Sequence, residues 1–377
     1  MKSFVKRAIC GSVLGVMCAP LWSSGVMAAS SSAPLALSTL SSTWLTDQNL
    51  TEYMAWIQSH QAELPIETAT EVIGYSVQQR PIWQVALGNP QAEKNVLLVC
   101  GQHGDEPDSM QTCLYLLRDI LSQNSAIESP ALTANNPWHQ LLSQTRLHIV
   151  PMLNPDGRAL QTRKNARGVN LNANWSWGWK TKIADAEGFQ RHATSSGASY
   201  RGVMPFSEPE TRALKQWIEK HQPAKVIDYH TGVASFSQGN IFYPFTHASE
   251  NTLTQAEEDL LYSMALAQAQ ALSRVRTEQD PVLPMQTHEV VSYLNYAIRH
   301  KLPAKYHEQA LSQLPKNTQS TGSMIDWVFG TQKIPALGFE IYAPEPVSFQ
   351  TPIAQFNAQY ETLQPGLHRA LVNLLQK

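Results

Sequence analysis

Asn95-Val96-Leu97-Leu98-Val99-Cys100-Gly101-Gln102-His103-Gly104-Asp105-Glu106 passes from an unbroken apolar run to a polar cluster within twelve residues. A short aliphatic run stopped by glycine and charge reads as a strand buried on both faces. The pattern recurs along the chain. Leu147 to Met152 leads into Asn154-Pro155-Asp156-Gly157, Lys225 to Tyr229 leads into His230-Thr231-Gly232, and Ala336 to Ile341 carries Glu340 within it. Helical spacing of apolar residues lies between these runs, over Pro107 to Leu121, Glu208 to His221, Glu257 to Arg274 and Ile353 to Gln376. Ser207 with Glu210 three residues later predicts the cap of the second helix. Ahead of the first run, Leu50, Tyr53, Met54 and Ile57 mark an amphipathic helix, and Val72 to Val77 and Pro81 to Leu87 read as two strands around Gln78-Gln79-Arg80. Strands alternating with helices predict one α/β domain whose mostly parallel sheet is covered on both faces.

Composition narrows the class of function. The 377 residues are 43% hydrophobic and 15% charged, a globular rather than a disordered profile. Lys and Arg total 28 against 30 Asp and Glu, with no basic stripe, which argues against nucleic acid as a partner. At the start, Lys2, Lys6 and Arg7 precede 15 uncharged residues, Ala8 to Trp22, and Val26-Met27-Ala28 supplies small residues for cleavage. This predicts a signal peptide over 1–28. A bilayer span needs roughly 20 apolar residues, so no membrane insertion is expected after cleavage. The Gly15-Val16-Met17 before Cys18 lacks the pattern of a lipidation site. A flexible, Ala- and Ser-rich tail is expected over 29–46 and a single domain over 47–377. Of four cysteines only Cys100 and Cys113 remain in the mature chain. An oxidising compartment permits a bridge between them without requiring it, and two buried thiols are expected.

Ligands of open α/β sheets bind beyond the carboxyl ends of the strands, so groups far apart in sequence can meet there. His103, Glu106 and His230 offer two imidazoles and one carboxylate, a zinc set that leaves a fourth position for water. Zinc lowers the pKa of water from 15.7 to roughly 7, and a nearby carboxylate can take the proton during attack on a carbonyl. Glu340 is the spare carboxylate, and in an apolar strand it needs a metal, a water or a base beside it. His60, His139, His192, His221, His247, His288, His300, His307 and His368 lack a partnered motif and read as surface or structural.

From about Val72 to Tyr342 the sequence resembles the zinc carboxypeptidase family, the carboxypeptidase A-like metallopeptidases. The resemblance rests on His103-Gly104-Asp105-Glu106, Asn154-Pro155-Asp156-Gly157, Arg163-Lys164-Asn165, Gly168-Val169-Asn170-Leu171-Asn172, Pro205-Phe206-Ser207-Glu208-Pro209-Glu210-Thr211, His230, Gly322-Ser323-Met324-Ile325-Asp326-Trp327 and Glu340, in that order. It implies one zinc per chain on His103, Glu106 and His230, Glu340 as general base, and Arg163 as the cation facing the oxyanion. It also implies a single α/β/α catalytic domain around a mixed, mostly parallel eight-stranded sheet.

The departures bear on substrate. An Asn-Arg pair binds the terminal carboxylate in the digestive enzymes, and here the pair reads Asn172-Ala173. Asp105 stands where those enzymes place an arginine, and no tyrosine lies between Tyr306 and Gly322. The His-Gly-Asp-Glu form with Thr162-Arg163-Lys164-Asn165-Ala166-Arg167-Gly168 looks more like the murein peptide amidase branch, which cuts between γ-D-glutamate and diaminopimelate. Asp105 would either suit an amino group of diaminopimelate or hydrogen-bond local backbone, and Arg167, Arg201 or Lys164 would bind the carboxylate in place of the missing arginine. Such an enzyme, exported to the periplasm, would meet the cell wall itself. The alternatives are a carboxypeptidase for apolar or aromatic termini, since Ile325 holds the pocket position where an acidic residue selects basic side chains, and a noncatalytic zinc-dependent peptide- or murein-binding protein.

Overall fold

Alternate residues of the four apolar runs go to opposite sides of one sheet. In β3 (Asn95–Cys100), Val96, Leu98 and Cys100 join one buried cluster while Leu97 and Val99 join another. The same division holds in β4 (Arg146–Val150), β5 (Lys225–Thr231) and β8 (Ala336–Ile341). A run apolar at nearly every position is what a strand covered on both faces requires. The remaining strands are β1 (Thr68–Tyr75), β2 (Pro81–Gly88), β6 (Gly239–Tyr243) and β7 (His288–Ser292), and the sheet order is β1-β2-β4-β3-β5-β8-β6-β7. The expected eight-stranded mixed sheet is present: β4, β3, β5 and β8 run parallel at the centre, while the β1–β2, β2–β4 and β6–β8 pairings are antiparallel.

The computed structural model describes residues 42–121, 137–177, 179, 200–231, 239–244, 253–273, 288–292, 323–341 and 347–376. All belong to the compact unit Leu35–Lys377. The expected signal peptide, the tail before residue 42, Gly232, Arg274, Tyr306 and Tyr342 lie outside the described residues. Among those described, no helix is long and apolar enough to cross a membrane.

Helices α1 (Asp47–Ser59), α2 (Pro107–Leu121), α6 (Gln255–Ser273) and α8 (Ile353–Gln376) supply apolar residues to the first cluster, and α5 (Pro209–His221) and α7 (Met324–Gln332) to the second. The short helices α3 (Pro137–Leu142) and α4 (Pro155–Leu160) complete the described set. Two local expectations are corrected. Glu208, not Ser207, stands at the N-cap of α5, because the Ser207 hydroxyl donates to the Glu208 carboxylate instead (2.7 Å). Cys100 and Cys113 are not free thiols: a disulfide joins β3 to α2 across a Cα separation of 6.5 Å. The apolar positions that suggested buried thiols also bring the two side chains together on one side of the sheet.

Candidate metal centre

The site is assembled where β3, β5 and β8 end. Beyond β3 the chain is tied to the segment after β4: the Leu153 N–H donates to the Cys100 carbonyl (3.0 Å) and the Asn154 N–H to that of Gly101 (2.9 Å). Asn154 donates to the Gln102 carbonyl (3.1 Å) and accepts from the Gly157 N–H (2.9 Å). A Cβ on Gly104 would fall on the backbone of Gly157. That close backbone approach requires Gly104, while a Cβ on Gly157 would strike the Asn154 side chain and the Lys164 carbonyl.

His103 and His230 are each 1% exposed and Glu106 8%, and their donor atoms all lie within 4.8 Å of one another. Glu106 sits between the imidazoles, with Oε1 2.7 Å from His103 Nδ1 and Oε2 3.1 Å from His230 Nδ1. The outward nitrogens are held from behind. His103 Nε2 donates to Asn170 Oδ1 (3.1 Å), and His230 Nε2 lies 2.9 Å from Asp228 Oδ2. Burial, aided by the Arg163 charge, pushes His103 down to about 4. Against burial, the two imidazoles hold Glu106 well below the usual carboxylate range, and against burial Asp228 and Glu106 hold His230 well above the usual imidazole range. Three buried donors of mixed nitrogen and oxygen type, facing one another with their tautomers set from behind, match what a zinc ion requires.

Glu340 is the cross-strand partner of His230 in the β5–β8 register. Its Oε2 is sealed from solvent and makes no hydrogen bond among the described residues. Burial pushes the carboxyl up to about 8; His230 and Arg163 pull the other way, and Glu106 and Asp228 add to the rise. Arg163 is 38% exposed and donates to Glu106 Oε1 (3.0 Å), which puts its guanidinium on the rim beside the ligands. The loop carrying it is anchored by Asn165, whose Nδ2 donates to Glu208 (2.7 Å) and Glu210 (3.1 Å). That contact explains two of the motifs at once.

The other expected residues divide. Asn172 belongs to the site: its Oδ1 accepts from the Met324 N–H (3.1 Å) and its Nδ2 lies 3.2 Å from His230 Nε2. Asp105 is exposed next to Glu106 in the chain. Arg167 points elsewhere, exposed and 3.8 Å from Glu208. Arg201 stacks on Trp179, 4.3 Å from the ring centre, and donates to its carbonyl. Ile325 is buried in the cluster that α7 shares with the sheet. Three positions beside these residues do not figure in the sequence reading: Gln102, Asp228 and Asn240, the last in register with Glu340 on β6. A charge at Asp228 inside an apolar strand was a readable signal, the same one that marks Glu340.

Comparison with known proteins bears on this geometry. The profile of a family described as zinc carboxypeptidase matches residues 53–365. Murein peptide amidase A of Escherichia coli K12 is 36% identical over 173 residues, which is 44% of this chain and 60% of that protein. Human carboxypeptidase B2 is 24% identical over 236 residues, 60% of this chain and 53% of that protein. The matches thus span somewhat over half the length of these curated relatives. Among solved structures, carboxypeptidase A from Helicoverpa armigera superposes with a TM-score of 0.62 at 16% identity, covering 89% of this chain and 75% of that one. At that identity the likeness speaks for the fold.

Proposed function

The chain belongs to the zinc carboxypeptidase family, and on that footing we propose that it is an exported zinc metallopeptidase acting on murein stem peptides at the γ-D-glutamyl-diaminopimelate bond. The observation that carries the catalytic part is the meeting of His103, Glu106 and His230 beside Glu340, whose Oε2 is sealed from solvent and unpartnered among the described residues. His103, Glu106 and His230 would hold the zinc, which would polarise a carbonyl and acidify water. Glu340 takes the proton of the attacking water and delivers it to the leaving nitrogen as the C–N bond breaks. Arg163, on the rim, donates to the carbonyl oxygen as charge develops there.

The 36% identity to a protein named murein peptide amidase A supports the substrate class. So does the exposed acid at Asp105, whereas Ala173, which cannot grip a terminal carboxylate as arginine does, departs from that branch as it does from the digestive enzymes. The apolar leader pattern supports export to the periplasm, and the Cys100–Cys113 bridge fits an oxidising compartment. The match to carboxypeptidase B2 favours a second reading, release of C-terminal residues from ordinary peptides.

Zinc-loaded protein incubated with murein tripeptide, ordinary peptides and their C-terminally amidated forms, with products weighed by mass spectrometry, tests the proposal. Cleavage ahead of diaminopimelate is expected. Amidation should cost less than about threefold, where loss of a charge-assisted carboxylate contact costs roughly ten- to a hundredfold. Trimming of single residues from free-acid peptides alone would establish the carboxypeptidase reading, and binding without cleavage would make this a noncatalytic receptor.

A further inference from the structure

The two histidine ligands are supported unequally. Behind His103 stands a neutral amide, Asn170, whose Oδ1 also accepts the Asn172 N–H (3.0 Å). Behind His230 stands a carboxylate, Asp228, fully buried two residues earlier on the same face of β5. Asp228 Oδ2 also accepts from the side chain of Gln102 (2.6 Å), the residue that precedes His103. One carboxylate oxygen is thus the point at which the strand bearing His230 is tied to the loop bearing His103 and Glu106. Asp228 Oδ1 makes no hydrogen bond among the described residues, so the group's whole described engagement is through that one oxygen.

We infer that Asp228, braced by Gln102, is a positioning residue that sets zinc affinity, with Asn170 as its weaker, uncharged counterpart. A carboxylate can only accept, so it fixes the hydrogen of His230 on Nε2 and turns the Nδ1 lone pair toward Glu106 and His103. The Asn172 amide, 3.2 Å from the same Nε2, has only a hydrogen to offer there; the carboxylate wins the tautomer. A carboxylate behind an imidazole also makes the ring a better donor to metal, which an amide does far less. The inference rests on the zinc ligand set and is independent of which amide bond is cut.

The test is zinc affinity by chelator competition on the full-length protein, with melting of the metal-free form as the measure of folding. Asp228→Asn should weaken zinc binding roughly ten- to a hundredfold, because the replacement keeps the shape and surrenders the charge. Gln102→Leu should weaken it less. Asn170→Asp should tighten it, since the aspartate keeps the acceptor and adds the charge that His103 lacks. A merely structural role would lower metal-free stability in all three variants and tighten binding in none. If Asp228→Asn folds with zinc affinity within threefold of the parent, or Asn170→Asp binds zinc no more tightly, the inference is overturned. A parent protein that binds no zinc overturns the ligand assignment together with it.

Discussion

The loop after β3 and the pair of strands β5 and β8 contribute to the same site by different means. His103 and Glu106 are three residues apart, on a loop clasped by the Gly104–Gly157 approach, by Asn154 and by the Cys100–Cys113 bridge at its base. His230 and Glu340 are 110 residues apart, and strand register alone brings them level. Locally built geometry can be disturbed by one loop contact. Register resists single substitutions, because a slip would turn every side chain of β8 to the opposite face. The loop is therefore where substitution should separate metal binding from folding most cleanly.

Removing a ligand from either side tests this most severely. Purified protein should carry about one zinc per chain, and both His103→Ala and His230→Ala should lose it and with it all turnover. Metal analysis of the two variants decides, and full zinc in either would remove that residue from the ligand set. Glu340→Gln comes next. It preserves shape and removes proton acceptance, so turnover should fall at least roughly a hundredfold with zinc retained; near-normal rates would place the base elsewhere.

The bridge at the foot of the loop should matter for stability rather than metal. Closing a loop of this size stabilises by about 3 kcal/mol in the chain-entropy account. The 13-residue separation of Cys100 and Cys113 lies in that range. Denaturant titration of Cys113→Ser should show a loss of that order. Zinc content should persist, because the ties to Asn154 and Gly157 hold His103 independently of the sulfurs. Joint loss of zinc and stability would mean that the bridge carries the site.

The same contrast decides what could be read from sequence. The runs that became β3, β5 and β8 were legible because a strand covered on both faces is apolar at most positions, and the clusters at their ends then had to share a site. Glu340 was legible as a charge that an apolar strand would not otherwise keep. Asp228 carries an identical signal but lies inside the run of β5, where it reads as an interruption until the fold turns it toward His230. The strands β6 and β7 open on Gly239-Asn240 and His288-Glu289, so no continuous apolar run marks them.

His148 offers a comparison with His103, since both imidazoles are buried and only one has a carboxylate and a metal to meet. His148 lies on β4 in register with Leu97, its Nδ1 accepting from the Gln84 amide (3.0 Å) and its ring edge-on to Trp217 at 4.9 Å. Burial drives it down to about 3, with Arg146 and His221 adding to the effect. An imidazole freed by unfolding titrates near 6.5, so below that pH the unfolded chain binds a proton that the folded one refuses. The stability this group protects is complete above about pH 6.5 and drains away as the pH falls toward 3. At pH 5 the loss from this one residue amounts to about 2 kcal/mol. His148→Leu should remove that part of the acid sensitivity, whatever it costs at pH 7.5, so that wild type and variant converge between pH 7.5 and 5 in denaturant melts. The metal-free protein is the form to measure, because zinc competes with protons at His103 and His230 and would add an acid dependence of its own. Parallel pH profiles for the two proteins would mean that His148 takes up its proton without unfolding, and that burial on β4 is looser than the packing against Trp217 implies.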